Sequence, residues 1–146
     1  FPSASELQQI GAKCQHLKRW EVPRDTYPMG KKGYYQWRTY LYDYQAEKAA
    51  EIMNECGYSG EAVEEVKAMV AKKQVKTNSS SQLLEDVACL VFIQFYLKDF
   101  AVDYEEEKLI KIIQRTWNKM SEGAQQFALK LSLKDDVGQI IGKALA

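Results

Sequence analysis

Cations and aromatic rings alternate along the first third of the chain. Seven of the twenty Lys and Arg residues lie between Lys13 and Arg38 (Lys13, Lys18, Arg19, Arg24, Lys31, Lys32 and Arg38), against Glu21 and Asp25. Eight of the seventeen aromatic residues fall between Trp20 and Tyr44. Guanidinium and ammonium groups donate charge-assisted hydrogen bonds to phosphate oxygens, and flat rings stack on a base or a similar planar group. The segment therefore suits a small molecule bearing a phosphate. The competing reading is a long loop pinned by aromatic packing, its cations in solvent. Seven acids from Asp43 to Glu65, against Lys48, offer local counter-charge.

Asp86 is the second feature with chemical potential. On a helix its neighbours at i+4, i+7 and i+11 are Leu90, Ile93 and Leu97, so its carboxylate points along an apolar face. A carboxylate there needs a cation, a metal or several hydrogen-bond donors, because a bare buried charge is strongly unfavourable. His16, Arg19 and Arg38 are the expected partners, with simple helix anchoring as the alternative. His16 is the only histidine. It lies off the Leu7, Ile10 and Leu17 stripe, near Ala12 and Trp20. Hydrolytic metal centres draw on several His and carboxylate ligands, and one histidine supplies little of that. His16 and Asp86 are the candidate ligands for a divalent metal. Gln45 shares a stripe with Leu41, Ala49 and Ile52 and should point inward. The candidate ligand-binding residues are thus His16, Arg19, Trp20, Arg24, Trp37, Arg38, Gln45 and Asp86, and no catalytic residue is assigned.

Cys14, Cys56 and Cys89 are odd in number and widely spaced, which disfavours a disulfide framework and favours an intracellular, reducing compartment. With His16 they could make four zinc ligands, but no close Cys pair is present. Three half-buried free thiols is the better reading. Twenty basic residues balance twenty acidic ones, so net charge gives no reason to expect a nucleic-acid or membrane-surface partner. The longest apolar run, 87–97, is interrupted by Gln94 and is shorter than the roughly 20 residues of a bilayer span.

The elements that position these residues read as helices. With 146 residues, 46% hydrophobic and 27% charged, the chain can bury a core. Eight Gly and three Pro are too few for a turn-rich all-β fold. Ser3-Ala-Ser-Glu6 reads as a capping box ahead of the stripe Leu7, Ile10, Cys14 and Leu17. Pro23, Pro28, Gly30 and Gly33 mark a loop. A long helix spans about 34–56, with Gly57 closing it. Ser59 caps a third helix, with Val63, Val66 and Val70, ending near Lys73. Residues 77–81 form a loop and cap for a fourth helix over 81–99, apolar on every side from 87 to 97 and hence central and surrounded. Asp103 with Glu106 reads as a capping box for a helix whose core face is Leu109, Ile112, Ile113 and Trp117. Ser121 and Asp135 begin two short final helices. The expectation is an all-α fold, a single helical bundle of about seven helices forming one domain over 1–146 around the helix at 81–99.

C-Q-H-L-K-R-W (14–20), Pro23-Arg24, Y-P-M-G (27–30), G-Y-Y-Q-W-R (33–38), A-E-K-A (46–49), L-E-D-V-A-C-L-V-F (84–92) and R-T-W-N-K-M-S (115–121) resemble the domain of unknown function 4202 family across essentially the whole chain. Some fungal relatives carry a glutamyl-tRNA synthetase label. Lys119-Met-Ser121 resembles part of the class I synthetase signature loop, but no H-I-G-H element or parallel α/β pattern accompanies it. The chain is also similar, more remotely, to histidine–aspartate (HD) metal-dependent phosphohydrolases. That likeness implies His16 and Asp86 as metal ligands. The chain departs from it at Leu17, in the place of an Asp, and at Gln45, where relatives often carry His; an amide is a poor transition-metal ligand. Two readings follow from the likeness: a non-catalytic domain on an HD-like frame that binds a protein or an anionic ligand, or a metal-dependent phosphohydrolase acting on a nucleotide or other phosphate ester and completed by residues upstream of Phe1. A tRNA-linked activity, after the label of the fungal relatives, is the third and last reading. In the family pattern 1–7 follows at least one earlier helix. The face carrying Ala12, His16 and Trp20 is therefore expected to be covered by upstream residues or by a protein partner.

Overall fold

The computed structural model describes residues 1–131 and 135–146, and among them every regular element is helical. The α-helices are α1 (Glu6–Cys14), α2 (Lys31–Glu55), α3 (Gly60–Val70), α4 (Ser79–Val91), α5 (Leu97–Ala101), α6 (Glu106–Trp117), α7 (Glu122–Ala128) and α8 (Asp135–Leu145). Short 3-10 turns at Arg19–Glu21 and Arg24–Thr26 bridge α1 and α2. No helix among the described residues is long and apolar enough to cross a membrane. The chain divides into two compact units, Phe1–Leu84 and Glu85–Ala146.

In the first unit α2 and α3 share a core of Ala46, Ala49, Met53, Val63, Val66 and Met69, and α1 adds Leu7, Ile10 and Cys14. α1 is opened by a complete capping box two residues later than Ser3-Ala-Ser-Glu6 suggests. The Ser5 hydroxyl accepts from the Gln8 N–H, and the Gln8 side chain accepts from the Ser5 N–H. Ser5 is the extended residue, so it and not Ser3 caps. Gly11 lets α1 approach Leu84; a Cβ there would stand 3.1 Å from its side chain. α2 begins at Lys31, so Gly33 belongs to its first turn and not to the preceding loop. Asn78 caps α4, accepting from the N–H groups of Ser80 and Ser81.

Ser81, in the first turn of α4, has a buried hydroxyl with no hydrogen-bond partner among the described residues. An unsatisfied buried hydroxyl costs about 1–3 kcal/mol, and Ala is the better helix former. Ser81→Ala is therefore expected to raise the melting temperature by about 3 °C, read by circular dichroism. A lowered melting temperature would mean that the hydroxyl is satisfied in solution.

In the second unit Cys89, Leu90, Ile93 and Leu97 meet Leu109 and Ile113 of α6 and Val137 and Ile141 of α8. The segment 87–97 is not covered on every side. Residues Phe92–Tyr96 form one π-turn, which places an extra residue in the turn and changes the helical phase. Ile93 and Leu97 stay buried, while Val91, Phe95 and Tyr96 are exposed. α6 also lacks the expected capping box. Its N-cap is Glu105, with no side-chain cap bond, and Glu106 instead pairs with Lys143 at 2.8 Å. Ile110 packs on the core beside Leu109 and Ile113, in the role assigned to Ile112 from the sequence.

Candidate functional site

The aromatic and basic residues of the first unit are organised by two rings on α2. The first is Trp37, which is buried and whose indole N–H donates to the Val22 carbonyl at 2.9 Å. The Arg19 guanidinium lies over this ring at 4.7 Å and that of Arg24 at 6.0 Å. Arg24 is a loop clamp. Its two terminal nitrogens donate to the carbonyls of Tyr27 and Pro28, both at 3.0 Å, and one of them also reaches Gly30. The second ring is Tyr42. Arg38, one turn before it, stacks at 5.2 Å and donates to its hydroxyl at 2.8 Å. The Lys72 ammonium group lies 5.3 Å from the same ring.

His16 sits among these cations. It follows α1 in a tight turn, where the Arg19 N–H donates to its carbonyl. Partial burial of the ring, and then the positive charges of Arg19, Arg38 and Lys72, hold its pKa below the ordinary imidazole range. Each cation makes a second proton on the ring less favourable. The same electrostatics oppose a divalent metal. Among the described residues no group of three or more His, Cys, Asp or Glu side chains could hold one.

The candidates thus fall into groups. Arg19 and Arg38 are the candidates whose charges reach His16, and Lys72, not singled out by the sequence, is a third. Trp37 is the packing surface for Arg19. Trp20 is 73% exposed, and Gln45 is buried, at 4% exposure, between Leu41 and Ala49 on the inward face of α2. Ile52, expected on that stripe, is exposed.

Asp86 belongs to the second unit and is 3% exposed. Its Oδ1 accepts from the Ser121 N–H at 2.7 Å and its Oδ2 from the Ser121 hydroxyl at 2.6 Å. Ser121 was not among the donors suggested by the sequence. It is the N-cap of α7, and its hydroxyl in turn accepts from the Ala124 N–H. The neighbouring Glu85 lies 3.7 Å from Lys119. Two adjacent carboxylates of α4 therefore hold the turn that starts α7. A small cleft in this unit, about 250 Å³, is lined chiefly by Leu97, Ala101, Tyr104, Leu109, Val137 and Ile140.

The three cysteines are free thiols, with Cys56 exposed, Cys14 half-buried and Cys89 buried. The Cys14 thiol is pushed up by burial, which makes it a weaker nucleophile.

The chain belongs to the family described as domain of unknown function (DUF4202), whose profile matches residues 1–141. No curated protein matches the chain. No solved structure matches it either.

Proposed function

We propose that this member of the DUF4202 family binds a phosphate-bearing small molecule, without chemistry of its own, through His16, Arg19 and Arg38. The observation that carries the reading is the seating of the two arginines. Each is laid against a ring of α2, Arg19 on Trp37 and Arg38 on Tyr42, so their positions are fixed before a ligand arrives. Preorganised guanidinium groups lose little side-chain freedom on binding, which favours affinity for phosphate oxygens. Arg19 has no carboxylate partner among the described residues, so an incoming anion does not have to displace one.

Binding is expected to be linked to pH, and the sign follows from His16. In the free protein its pKa lies below the ordinary value. The unfolded chain therefore holds that proton more tightly, and this group's contribution makes stability fall as pH drops through about 6.5. An anion beside the ring raises its pKa, so binding takes up a proton. Affinity for sulfate, whose charge is constant over the range, should rise between about pH 8 and about pH 6.

The direct test is titration of the protein with inorganic phosphate, pyrophosphate and a nucleoside monophosphate while the His16 ring resonances are followed. Binding should shift those resonances, and Arg19→Ala should weaken it by about tenfold or more, as expected for loss of a charge-assisted hydrogen bond. His16 resonances that stay still in millimolar concentrations of all three ligands would refute the reading.

A further inference from the structure

Glu21 is the carboxylate nearest to Arg19 in the chain, two residues on in the same 3-10 turn. A guanidinium and a carboxylate on long side chains at that spacing are ready partners for an ion pair. The structure does not pair them. The Glu21 Oε2 accepts from the Tyr44 hydroxyl, and its Oε1 lies 3.5 Å from the Lys18 ammonium group. Arg19 rests on Trp37 and has no carboxylate partner among the described residues. Tyr44 is well placed to hold Glu21 because its own ring is held from both sides on α2. Tyr40, one turn before, stacks on it with centroids 5.9 Å apart, and the Lys48 ammonium group, one turn after, lies 5.8 Å from the ring. Lys48 is itself tied to Glu51 at 2.8 Å. The hydrogen bond pulls Glu21 below the ordinary carboxylate range and pushes the Tyr44 hydroxyl above the ordinary phenol range. At neutral pH the donor therefore keeps its proton and the acceptor its charge.

We propose that Tyr44 is a positioning residue of the anion site, which holds the Glu21 carboxylate off Arg19 so that this guanidinium stays open to a phosphate group. The proposal rests on the binding reading above and adds an internal competitor to it. Glu21 is the chain's own anion beside Arg19, and it needs no diffusion to reach the arginine once it is released. Without the Tyr44 hydroxyl, the exposed contact with Lys18 is the one restraint left on the carboxylate among the described residues. A contact of that kind holds a side chain weakly.

The experiment measures pyrophosphate affinity in wild type, Tyr44→Phe, Glu21→Gln and the double variant. Tyr44→Phe removes the hydroxyl and keeps the ring, and Glu21→Gln keeps an acceptor and removes the charge. Tyr44→Phe should weaken binding about two- to fivefold, the strength of an exposed ion pair between Arg19 and the released Glu21. In the Glu21→Gln background the same substitution should leave affinity unchanged, because a carboxamide carries no charge with which to compete. A second readout needs no ligand. The His16 pKa, lowered by partial burial and then by the Arg19 charge, should rise in Tyr44→Phe as Glu21 neutralises Arg19. It should not move when Tyr44→Phe is made in the Glu21→Gln background. An equal loss of affinity in both backgrounds would show that Tyr44 packs the fold or touches the ligand itself, and would overturn the proposal. Tyr44→Phe that binds as tightly as wild type, or that leaves the His16 pKa unmoved, would overturn it as well. Each of these results removes this proposal alone, whereas wild type that binds no pyrophosphate removes the binding reading and this one together.

Discussion

Gly33→Ala is expected to destabilise the protein by about 3 kcal/mol, a drop in melting temperature of about 10 °C. Gly33 lies in the first turn of α2, directly beneath the Pro28 peptide. A Cβ there would overlap the Pro28 carbonyl oxygen and stand 2.7 Å from its carbonyl carbon. Flexible side chains can yield to such contacts, but this one is backbone, and the backbone is fixed. The Pro28 carbonyl is held by Arg24, whose guanidinium also holds Tyr27 and lies against Trp37. Trp37 in turn holds the Val22 carbonyl. Moving Pro28 by an ångström loosens the Arg24 clamp and disturbs the ring on which Arg19 rests. Phosphate affinity should therefore fall with stability. Gly142→Ala is the control: it lies inside α8 with nothing within 4 Å of the added Cβ, and should stabilise by about 0.5–1 kcal/mol. Thermal melts of the two variants within 2 °C of each other would contradict the proposed role of the Pro28–Gly33 contact.

Local signals in the sequence carried far into the fold. Period-3.6 stripes locate α1, α3 and α6 because each of these helices buries one face, and Ser59, Ser121 and Gly57 bound helices where expected because caps are local chemistry. The cluster of glycine and proline at 23–33 makes Gly33 look like part of a loop. Its reason for being glycine is a neighbour, the Pro28 peptide, and not a backbone angle. The run at 87–97 looked uniformly buried because its composition cannot show a π-turn. The extra residue per turn changes the phase, and Val91, Phe95 and Tyr96 emerge.

The site was legible to a different degree. The density of Arg, Lys and rings over 13–44 marks the stretch in which Arg19 lies on Trp37 and Arg38 on Tyr42, since cations and rings on one helix and its preceding loop meet by proximity. Arg24 could not be told apart from them, because its clamp depends on the turn at 27–30. Lys72 left a faint trace: after Val70 the run Ala71-Lys72-Lys73-Gln74 offers no Gly or Asn for a left-handed closure, and Lys72, with φ 53°, fills it. A helix end without either residue is a signal worth reading.

Asp86 caps α7 from another helix, and its replacement has the other large expected effect. A complete capping box needs an acceptor at the third helical position to take the N-cap N–H, as Gln8 does for Ser5. In α7 that position is Ala124, which has no acceptor, and Asp86 supplies the missing bond from α4 while also accepting from the Ser121 hydroxyl. Asp86→Ala removes both acceptors from a buried site and is expected to cost about 3–5 kcal/mol. Asp86→Asn keeps one carbonyl acceptor for the Ser121 N–H and should cost about 1–2 kcal/mol. In a Ser121→Ala background the loss from Asp86→Ala should shrink by about 1–3 kcal/mol, the coupling of a direct pair, measured by urea unfolding. The metal reading makes opposite demands. A metal-ligating Asp86 would make wild type more stable in Mn²⁺ or Zn²⁺ and less stable in a chelator, with both effects lost in Asp86→Asn. An anchoring Asp86 leaves the wild-type unfolding midpoint indifferent to metal and to chelator. A midpoint that rises with Mn²⁺ in wild type and stays still in Asp86→Asn would take Asp86 away from α7 and give it to an ion.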